Sequence, residues 1–469
     1  MQTPQLIGTA VAALGLALGL TASIHALLYK RLPQSAFGWI AVCMSLPFAG
    51  ALLYYLFGIN RVERRARALR SARPPSATPA DGAAAPPPGC ESMAALGAAV
   101  SGRPLVGGNR VVPLHNGEQA FPAMLEAIAG ASARVYLSTY IFEGNRTGRQ
   151  FVDALAAAAA RGVDVRVLLD GVGELYSRPR ASALLERAGV QHARFVPPKL
   201  LPPELHVNLR NHRKILAVDG RIGFTGGMNI GDRHLAADTA NPRRVVDLHF
   251  RLEGPVVAQM ESVFLDDWEF VTGRRDEPPP APAPAAGDAL CRVVADGPDG
   301  DLDRLRTLLV GAIGAAQRRV AIMTPYFLPP REVLGALQAA ALRGVDVAVV
   351  LPAKNNLPYI HWATRHALWE LLQRGVHVLY QPPPFVHSKL LLVDDNYALI
   401  GSANIDARSL RLNFELDVEV YDWALVADLD RHFAAVRARS TPVALADVDR
   451  RPLPRRLLDG VAWLFSPYL

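Results

Sequence analysis

One pattern occurs twice in this chain. The first copy is His212-Arg213-Lys214, four residues, Asp219, six residues, Gly226-Gly227-Met228-Asn229. The second is His387-Ser388-Lys389, four residues, Asp394, six residues, Gly401-Ser402-Ala403-Asn404. Apolar residues run from each lysine to a turn, at Asp219-Gly220 or Asp395-Asn396, and a second apolar run follows. Each copy therefore predicts a strand and hairpin. Residues i and i+2 of a strand share a face, which sets His212 beside Lys214 and His387 beside Lys389. One such short pattern matches by chance and is equally explained by polar residues at the ends of a hairpin. Two copies with the same internal spacing point instead to a duplicated unit.

The flanking sequence repeats as well. Arg134–Tyr140 predicts a strand, Gly148–Arg161 a helix and Arg161–Leu169 another strand; Arg319–Tyr326, Glu332–Arg343 and Arg343–Leu351 repeat that order. Arg-Gly-Val-Asp-Val marks the helix-to-strand turn in both, at Arg161 and at Arg343. Alternating strands and helices predict two α/β halves with mainly parallel sheets. A pseudo-two-fold arrangement of the halves would bring both His-x-Lys motifs to one cleft, neither half being able to work alone.

The double motif resembles that of the phospholipase D superfamily. A phosphodiester resists attack because its oxygens are negative, so its cleavage needs a nucleophile, a proton donor for the leaving alkoxide and cations around the oxygens. Two histidines, two lysines and two asparagines supply these without a metal, and no cofactor is implied. The resemblance implies that one histidine attacks phosphorus to give a phosphohistidine while the other moves protons. By that analogy His212 is the nucleophile and His387 the acid/base, an order that two near-symmetric motifs leave open. Lys214, Lys389, Asn229 and Asn404 are expected on the phosphate oxygens, with Ser402 adding a hydroxyl that its counterpart Gly227 lacks. Asp219 and Asp394 match the motif aspartates and join the catalytic set, though at hairpin turns they serve equally to hold the loop. Imidazoles in such sites need a carboxylate to orient them. Asp247, downstream of His212, and Glu415, downstream of His387, are the candidates, each for its own histidine.

Leu6–Leu28 and Ala36–Gly58 carry no formal charge and are rich in Leu, Ala and Gly. Each is near the ~20 residues that cross a bilayer. No Lys or Arg precedes the first run and a second follows at once, which argues against a signal peptide. The reading is a two-helix transmembrane hairpin with Tyr29, Phe37, Trp39, Tyr54, Tyr55 and Phe57 at its ends. Only Lys30 and Arg31 lie in the intervening loop, whereas Arg61, Arg64, Arg65, Arg67, Arg70 and Arg73 follow the second run. The heavier positive side is expected to be cytoplasmic, and the same arginines suit anionic lipid. The expected organisation is hairpin 1–60, polybasic and Pro/Ala-rich linker 61–107, first half 108–276, Pro/Ala linker 277–287 and second half 288–469.

Details outside the double motif resemble bacterial cardiolipin synthases. They are the second apolar run (Trp39, Pro47, Gly50, Tyr54, Phe57-Gly58), Thr324-Pro325-Tyr326-Phe327, Gly401–Ser409 and the C-terminal Leu464–Leu469. The resemblance implies an enzyme of the bacterial cytoplasmic membrane that joins two phosphatidylglycerol molecules into cardiolipin and glycerol, its catalytic part facing the cytoplasm. Its partners are then phosphatidylglycerol and other membrane phospholipids. A hydrolase would use the same residues with water as acceptor, and phosphatidylethanolamine would serve as one lipid partner equally well. A net charge of +7 also suits nucleic acid, but a nuclease has no use for two membrane spans, so no nucleic acid is expected. A non-enzymatic lipid scaffold would tolerate degraded motifs, and both are intact. Cys43, Cys90 and Cys291 are scattered and form no ligand pattern.

Overall fold

The computed structural model describes residues 3–30, 33–59, 84–197, 210–274, 276, 283–297 and 303–466. Most of the arginine-rich run and Pro/Ala linker after residue 59, and much of the 277–287 linker, lie outside the described residues. The chain divides into two compact units.

The first unit holds the N-terminal helices. α1 (Thr3–Tyr29) is uniformly apolar, and Gln5–Tyr29 is the one helix among the described residues long and apolar enough to cross a bilayer. The second apolar run is not the single helix expected over 36–58. It breaks at Leu46-Pro47 into α2 (Pro33–Ser45) and α3 (Pro47–Leu53), followed by a wide turn over Tyr54–Gly58. Pro47 has no N–H to continue the ladder and its ring displaces the preceding turn. α1 packs against α2 and α3. Ala26, Cys43 and Tyr54 are buried in the seam, and His25 Nδ1 is hydrogen-bonded to the Tyr54 hydroxyl at 2.8 Å. Gly19 permits the approach, since a Cβ there would come within 2.8 Å of the Cys43 carbonyl oxygen.

The second unit is organised on one continuous fifteen-stranded sheet. Its first half supplies β1 (Val106–His115), β2 (Arg134–Thr139), β3 (Asp164–Asp170), β4 (Gln191–Phe195), β5 (Ile215–Val218) and β6 (Ile222–Gly226), then the short β7 (Val245–Val246) beside the sheet and β8 (Leu248–Glu253). The second half supplies β9 (Ala289–Asp296), β10 (Arg319–Met323), β12 (Asp346–Pro352), β13 (His377–Gln381), β15 (Leu390–Val393), β16 (Tyr397–Gly401), β18 (Glu415–Tyr421) and β19 (Thr441–Pro442), with the short β11 (Phe327–Leu328), β14 (Phe385–Val386) and β17 (Ile405–Asp406) beside the sheet. β1 and β9 pair antiparallel in the middle. Outward from β1 the order is β8, β6, β5, β2, β3, β4; outward from β9 it is β18, β16, β15, β10, β12, β13, with β19 at the edge. The two series match strand for strand, which is the pseudo-two-fold relation. The sheet is mixed, not mainly parallel as the repeat suggests. Only β2–β3–β4 and β10–β12–β13 run parallel. The motif hairpins β5–β6 and β15–β16, and the strands inward of them, are antiparallel.

The repeated Arg-Gly-Val-Asp-Val has a local cause. Gly162 and Gly344 take φ of +88° and +90° just past a helix end, a conformation that glycine adopts without a Cβ penalty. The arginine before each closes the neighbouring helix. Arg161 Nη2 donates to the carbonyls of Ile128, Ala129 and Ala131, and Arg343 Nη2 to those of Gly314 and Ala316. A cation there satisfies orphan carbonyls and suits the helix dipole.

Helices cover both faces, giving α/β/α halves. Asn116–Ala129 and Arg146–Ala160 bury Phe121, Phe151 and Leu155 in the first half's core. Arg304–Ala315 and Arg331–Leu342 bury Leu308, Ile313, Val333 and Leu337 in the second's. Val256–Thr272 and Trp423–Arg439 share a third cluster with the central strands, which binds the halves together. Helix Glu91–Ser101 lies within the stretch expected to be linker. Its Ala-rich sequence hides an apolar face, and Met93 and Ala94 pack into the second half's core.

Candidate active site

The His-x-Lys segments are not themselves sheet strands. Each is extended backbone leading into β5 or β15, and each crosses to the opposite half. Phe385-Val386 pairs parallel with Val245-Val246, and His387 N donates to Val246 O at 2.8 Å. Arg210–His212 runs beside Phe414 in the same way, with Phe414 N donating to Arg210 O at 2.8 Å and His212 N to Phe414 O at 2.9 Å.

This crossing decides which carboxylate meets which imidazole. His212 Nδ1 lies 3.0 Å from the Glu415 carboxylate, and His387 Nδ1 lies 3.0 Å from Asp247 Oδ2. The sequence expectation, each carboxylate orienting the histidine of its own half, is corrected: the partners are exchanged. Glu415 and Asp247 are 0% and 1% exposed, His212 and His387 8% and 9%. Only an edge of each imidazole can reach a ligand. With Nδ1 engaged as donor to a carboxylate, Nε2 is left as the reactive nitrogen.

The lysines sit as the i, i+2 spacing predicts. Lys214 Nζ donates to His212 O at 2.6 Å, and Lys389 Nζ donates to His387 O at 2.8 Å and lies 3.1 Å from His387 Nδ1. Asn229 and Asn404 are buried. Asn229 Oδ1 accepts from Ile141 N, and Asn404 Nδ2 donates to Ser409 Oγ. Asn404 Oδ1 has no partner among the described residues.

Two expectations fail. Ser402 is not free for a ligand: its hydroxyl is 2.6 Å from Glu415 Oε2 and accepts from Leu416 N. A bond that short to a carboxylate is charge-assisted, so Ser402 holds Glu415. In the first half Gly227 leaves no space for a counterpart, because a Cβ would meet Asp247 Oδ1 at 2.3 Å. Asp219 and Asp394 are also removed from the reacting group. They lie at the far ends of β5 and β15, with φ of +54° and +49°. Asp219 accepts from the backbone of Ser132, Ala133 and Arg134, and Asp394 from that of Gln317, Arg318 and Arg319. Both pin the start of a neighbouring strand, the loop-holding role.

Other neighbours are not among the site residues expected from the sequence. Tyr140 packs 5.2 Å from the His212 ring, and Tyr326 6.3 Å from that of His387. Both follow the first strand of their βαβ unit, a position that internal alignment of the repeat would have flagged. Arg213, between His212 and Lys214, donates to Glu415 O and Asp296 O of the other half and pairs with Asp267. Asn413 Nδ2 donates to Glu415 Oε1. His234 and His249 stand where the second half has Ser409 and Asp417; His234 Nε2 accepts from Asn229 N, and its Nδ1 is 3.9 Å from Asp247 Oδ2.

Burial dominates the electrostatics. It pushes the His212 imidazole down to about 4 against the opposing pull of Glu415, and pushes His387 well below its usual range, with Lys389 adding to the effect. Both shifts favour the neutral imidazole at pH 7. Burial brings Lys214 down to about 7 and Lys389 to about 8, so an arriving anion restores their full charge. Burial also works against charge on Glu415, but His212, Lys214 and Ser402 outweigh it and hold that carboxyl below its ordinary value. Asp247 has less support and burial lifts it to about 7. The two imidazoles thus rest on unequal carboxylates.

A family model described as cardiolipin synthase, PLD-like domain, matches residues 124–268 and 309–437, one match in each half. The chain belongs to the cardiolipin synthase family of phospholipase D-like proteins. A second family model, described as phospholipase D-nuclease N-terminal, matches residues 17–58. Cardiolipin synthase A of Pseudomonas aeruginosa is 35% identical over 96% of this chain and 94% of its own length. Cardiolipin synthase 1 of Bacillus anthracis is 32% identical over 94% of this chain and 90% of its own. The fold is also that of phosphatidylserine synthase from Haemophilus influenzae Rd KW20, with a TM-score of 0.64 at 15% identity, over 81% of this chain and 100% of that one. The cardiolipin synthase family therefore accounts for both halves and for the N-terminal apolar region.

Proposed function

We propose that this phosphatidyltransferase makes cardiolipin from two molecules of phosphatidylglycerol and releases glycerol. The observation that carries the reading is the pair of imidazoles, each held through Nδ1 by a carboxylate of the other half, with a lysine beside each. In this reading His212 Nε2 attacks the donor phosphorus. The bond from phosphorus to the glycerol oxygen breaks, and that oxygen takes a proton from His387. His387 then accepts the proton of the acceptor's terminal hydroxyl, whose oxygen attacks phosphorus and frees His212. Lys214, Lys389, Asn229 and Asn404 surround the phosphate oxygens. An anionic phosphodiester beside them favours the protonated forms of His387 and both lysines, which supplies the acid for the leaving oxygen. The firmly ionised Glu415 suits the histidine that must carry positive charge while bonded to phosphorus. The more easily protonated Asp247 suits the one that exchanges protons. Residues 108–276 and 288–469, joined by 277–287, are read as the two catalytic halves, with the Glu91–Ser101 helix belonging to the folded unit.

Purified full-length protein in phosphatidylglycerol vesicles is expected to yield cardiolipin and free glycerol in equal amounts. Glycerol accompanied by phosphatidic acid in place of cardiolipin would make the enzyme a hydrolase. Ethanolamine release from mixed vesicles would make phosphatidylethanolamine the donor.

Family membership and the apolar helix α1 make the chain membrane-associated. We further propose a two-span anchor in the bacterial cytoplasmic membrane with the catalytic unit inside the cell, supported by the six arginines after the second apolar run against Lys30 and Arg31 before it. A cysteine at Gln34 is expected to react with an impermeant reagent from outside intact cells and one at Asp81 to be protected; the opposite pattern inverts the orientation.

A further inference from the structure

The C-terminal helix Leu453–Leu464 is built inside out. Its buried side carries a carboxylate: Asp459 is 0% exposed and bonded to Arg365 and Arg451, with Ala462 beside it. Its outward side carries Leu453, Leu457, Val461 and Leu464, which are 66%, 61%, 54% and 67% exposed, and Leu458 and Phe465 lie on the same arc. The spacing 453, 457, 461, 464 keeps these on one face. A water-facing helix has the reverse arrangement, and a contiguous apolar patch of this kind marks a docking surface. The flanking Arg455 and Arg456 are exposed. An apolar face bordered by arginines is the make-up of a helix that lies in the headgroup region of an anionic bilayer.

The buried side of this helix is linked to the candidate site by a chain of contacts. Helix Leu453–Leu464 packs on helix Pro358–Leu372, where Ala462 joins a small cluster with Leu328, Ile360 and Ala363 that Tyr326 packs against. Tyr326 in turn faces His387. Tyr359, on the same supporting helix, is exposed. On the other half Leu175 and Tyr176 are more than half exposed, and Tyr176 packs against Tyr140, which faces His212. Exposed apolar side chains thus flank both histidines.

We propose that the outer face of helix Leu453–Leu464, with the rim residues Leu175, Tyr176 and Tyr359, docks on an anionic lipid leaflet and sets the mouth of the site against it. A two-tailed lipid then reaches the histidines without its acyl chains passing through water. The benefit to turnover rests on the lipid-substrate reading above; the docking does not.

The test uses the full-length protein in vesicles of phosphatidylglycerol and phosphatidylethanolamine. A fluorophore is attached through Leu457→Cys in a Cys90→Ser background, Cys43 and Cys291 being buried. A lipid spin-labelled near the headgroup is expected to quench it at least twofold, and a water-soluble quencher to act at least threefold less than on the same protein after detergent extraction. Quenching from water with no effect of the spin-labelled lipid would overturn the proposal. So would protection from both quenchers, which would mean that a second copy or another segment of the chain covers the face. The paired variant Leu457→Glu/Val461→Glu is expected to lose at least tenfold in rate on vesicles and to stay within twofold of wild type on a short-chain donor dispersed as monomers. Equal loss on both substrates would also overturn it. Failure of wild type itself to transfer from either donor would fault the transferase reading, and leaves the quenching result to decide the docking.

Discussion

His212→Ala protein is expected to form no phosphatidyl-enzyme and no cardiolipin, whereas His387→Ala protein should be slowed by roughly 10²–10⁴-fold, the usual worth of acid/base assistance. The difference follows from the two parts proposed. Removing the nucleophile leaves nothing to bond to phosphorus. Removing the proton carrier leaves His212 with its Glu415 partner at 3.0 Å and both lysines in place. A donor whose leaving group has a low pKa needs no proton, so it should restore the first step in His387→Ala. The second step remains slow, because no group takes the acceptor's proton. With such a donor, labelled in its phosphatidyl group, acid-labile phosphohistidine should accumulate on His212 and be located by peptide mapping. Label on His387 in His212→Ala protein would exchange the roles. Absence of label in both variants, with wild type turning over normally, would argue against a covalent intermediate.

The crossed carboxylates give the second large effect. Glu415→Gln is expected to lower turnover by roughly 10²–10⁴-fold, since an orienting carboxylate fixes both the tautomer and the charge of its histidine. The amide keeps the size of the side chain but sets a neutral group against an imidazole that must become positive. The labelling assay can say which histidine is affected. In a His387→Ala background with the activated donor, Glu415→Gln should slow label formation on His212 steeply. Asp247→Asn in the same background should slow it far less, because its own imidazole is already gone. The inverse result, Asp247→Asn slowing the label and Glu415→Gln leaving it, would mean that each half serves its own histidine in solution.

Much of this fold was legible because the duplication could be read at several levels together. Strand, helix, turn arginine and His-x-Lys recur in the same order, and the observed elements fall within a few residues of their expected bounds. The mixed sheet follows from two local patterns taken together: crossover units give the parallel outer strands, and motif hairpins give the antiparallel inner ones. The exchange of carboxylates was not legible. Asp247 and Glu415 each follow the motif of their own half in the chain, and only the cross-half ladders at Val246 and Phe414 reverse the assignment. The expectation for Ser402 fails for a related reason. A hydroxyl in a phosphate-binding motif suggests a ligand, yet its nearest acceptor comes from a strand thirteen residues on. The break at Pro47 was visible as a residue, but uniform apolarity carried more weight than the missing N–H.

The crossing also orders events during synthesis. A ribosome releases His212 long before Glu415, and Asp247 long before His387. Until the chain has emerged beyond residue 387 the second imidazole is absent, and until it has emerged beyond residue 415 the first imidazole has no carboxylate to orient it. A first half alone holds neither crossed pair, and in the reading proposed above it cannot transfer a phosphatidyl group. On that reading the order of residues along the chain itself delays the chemistry until both crossed pairs have been made.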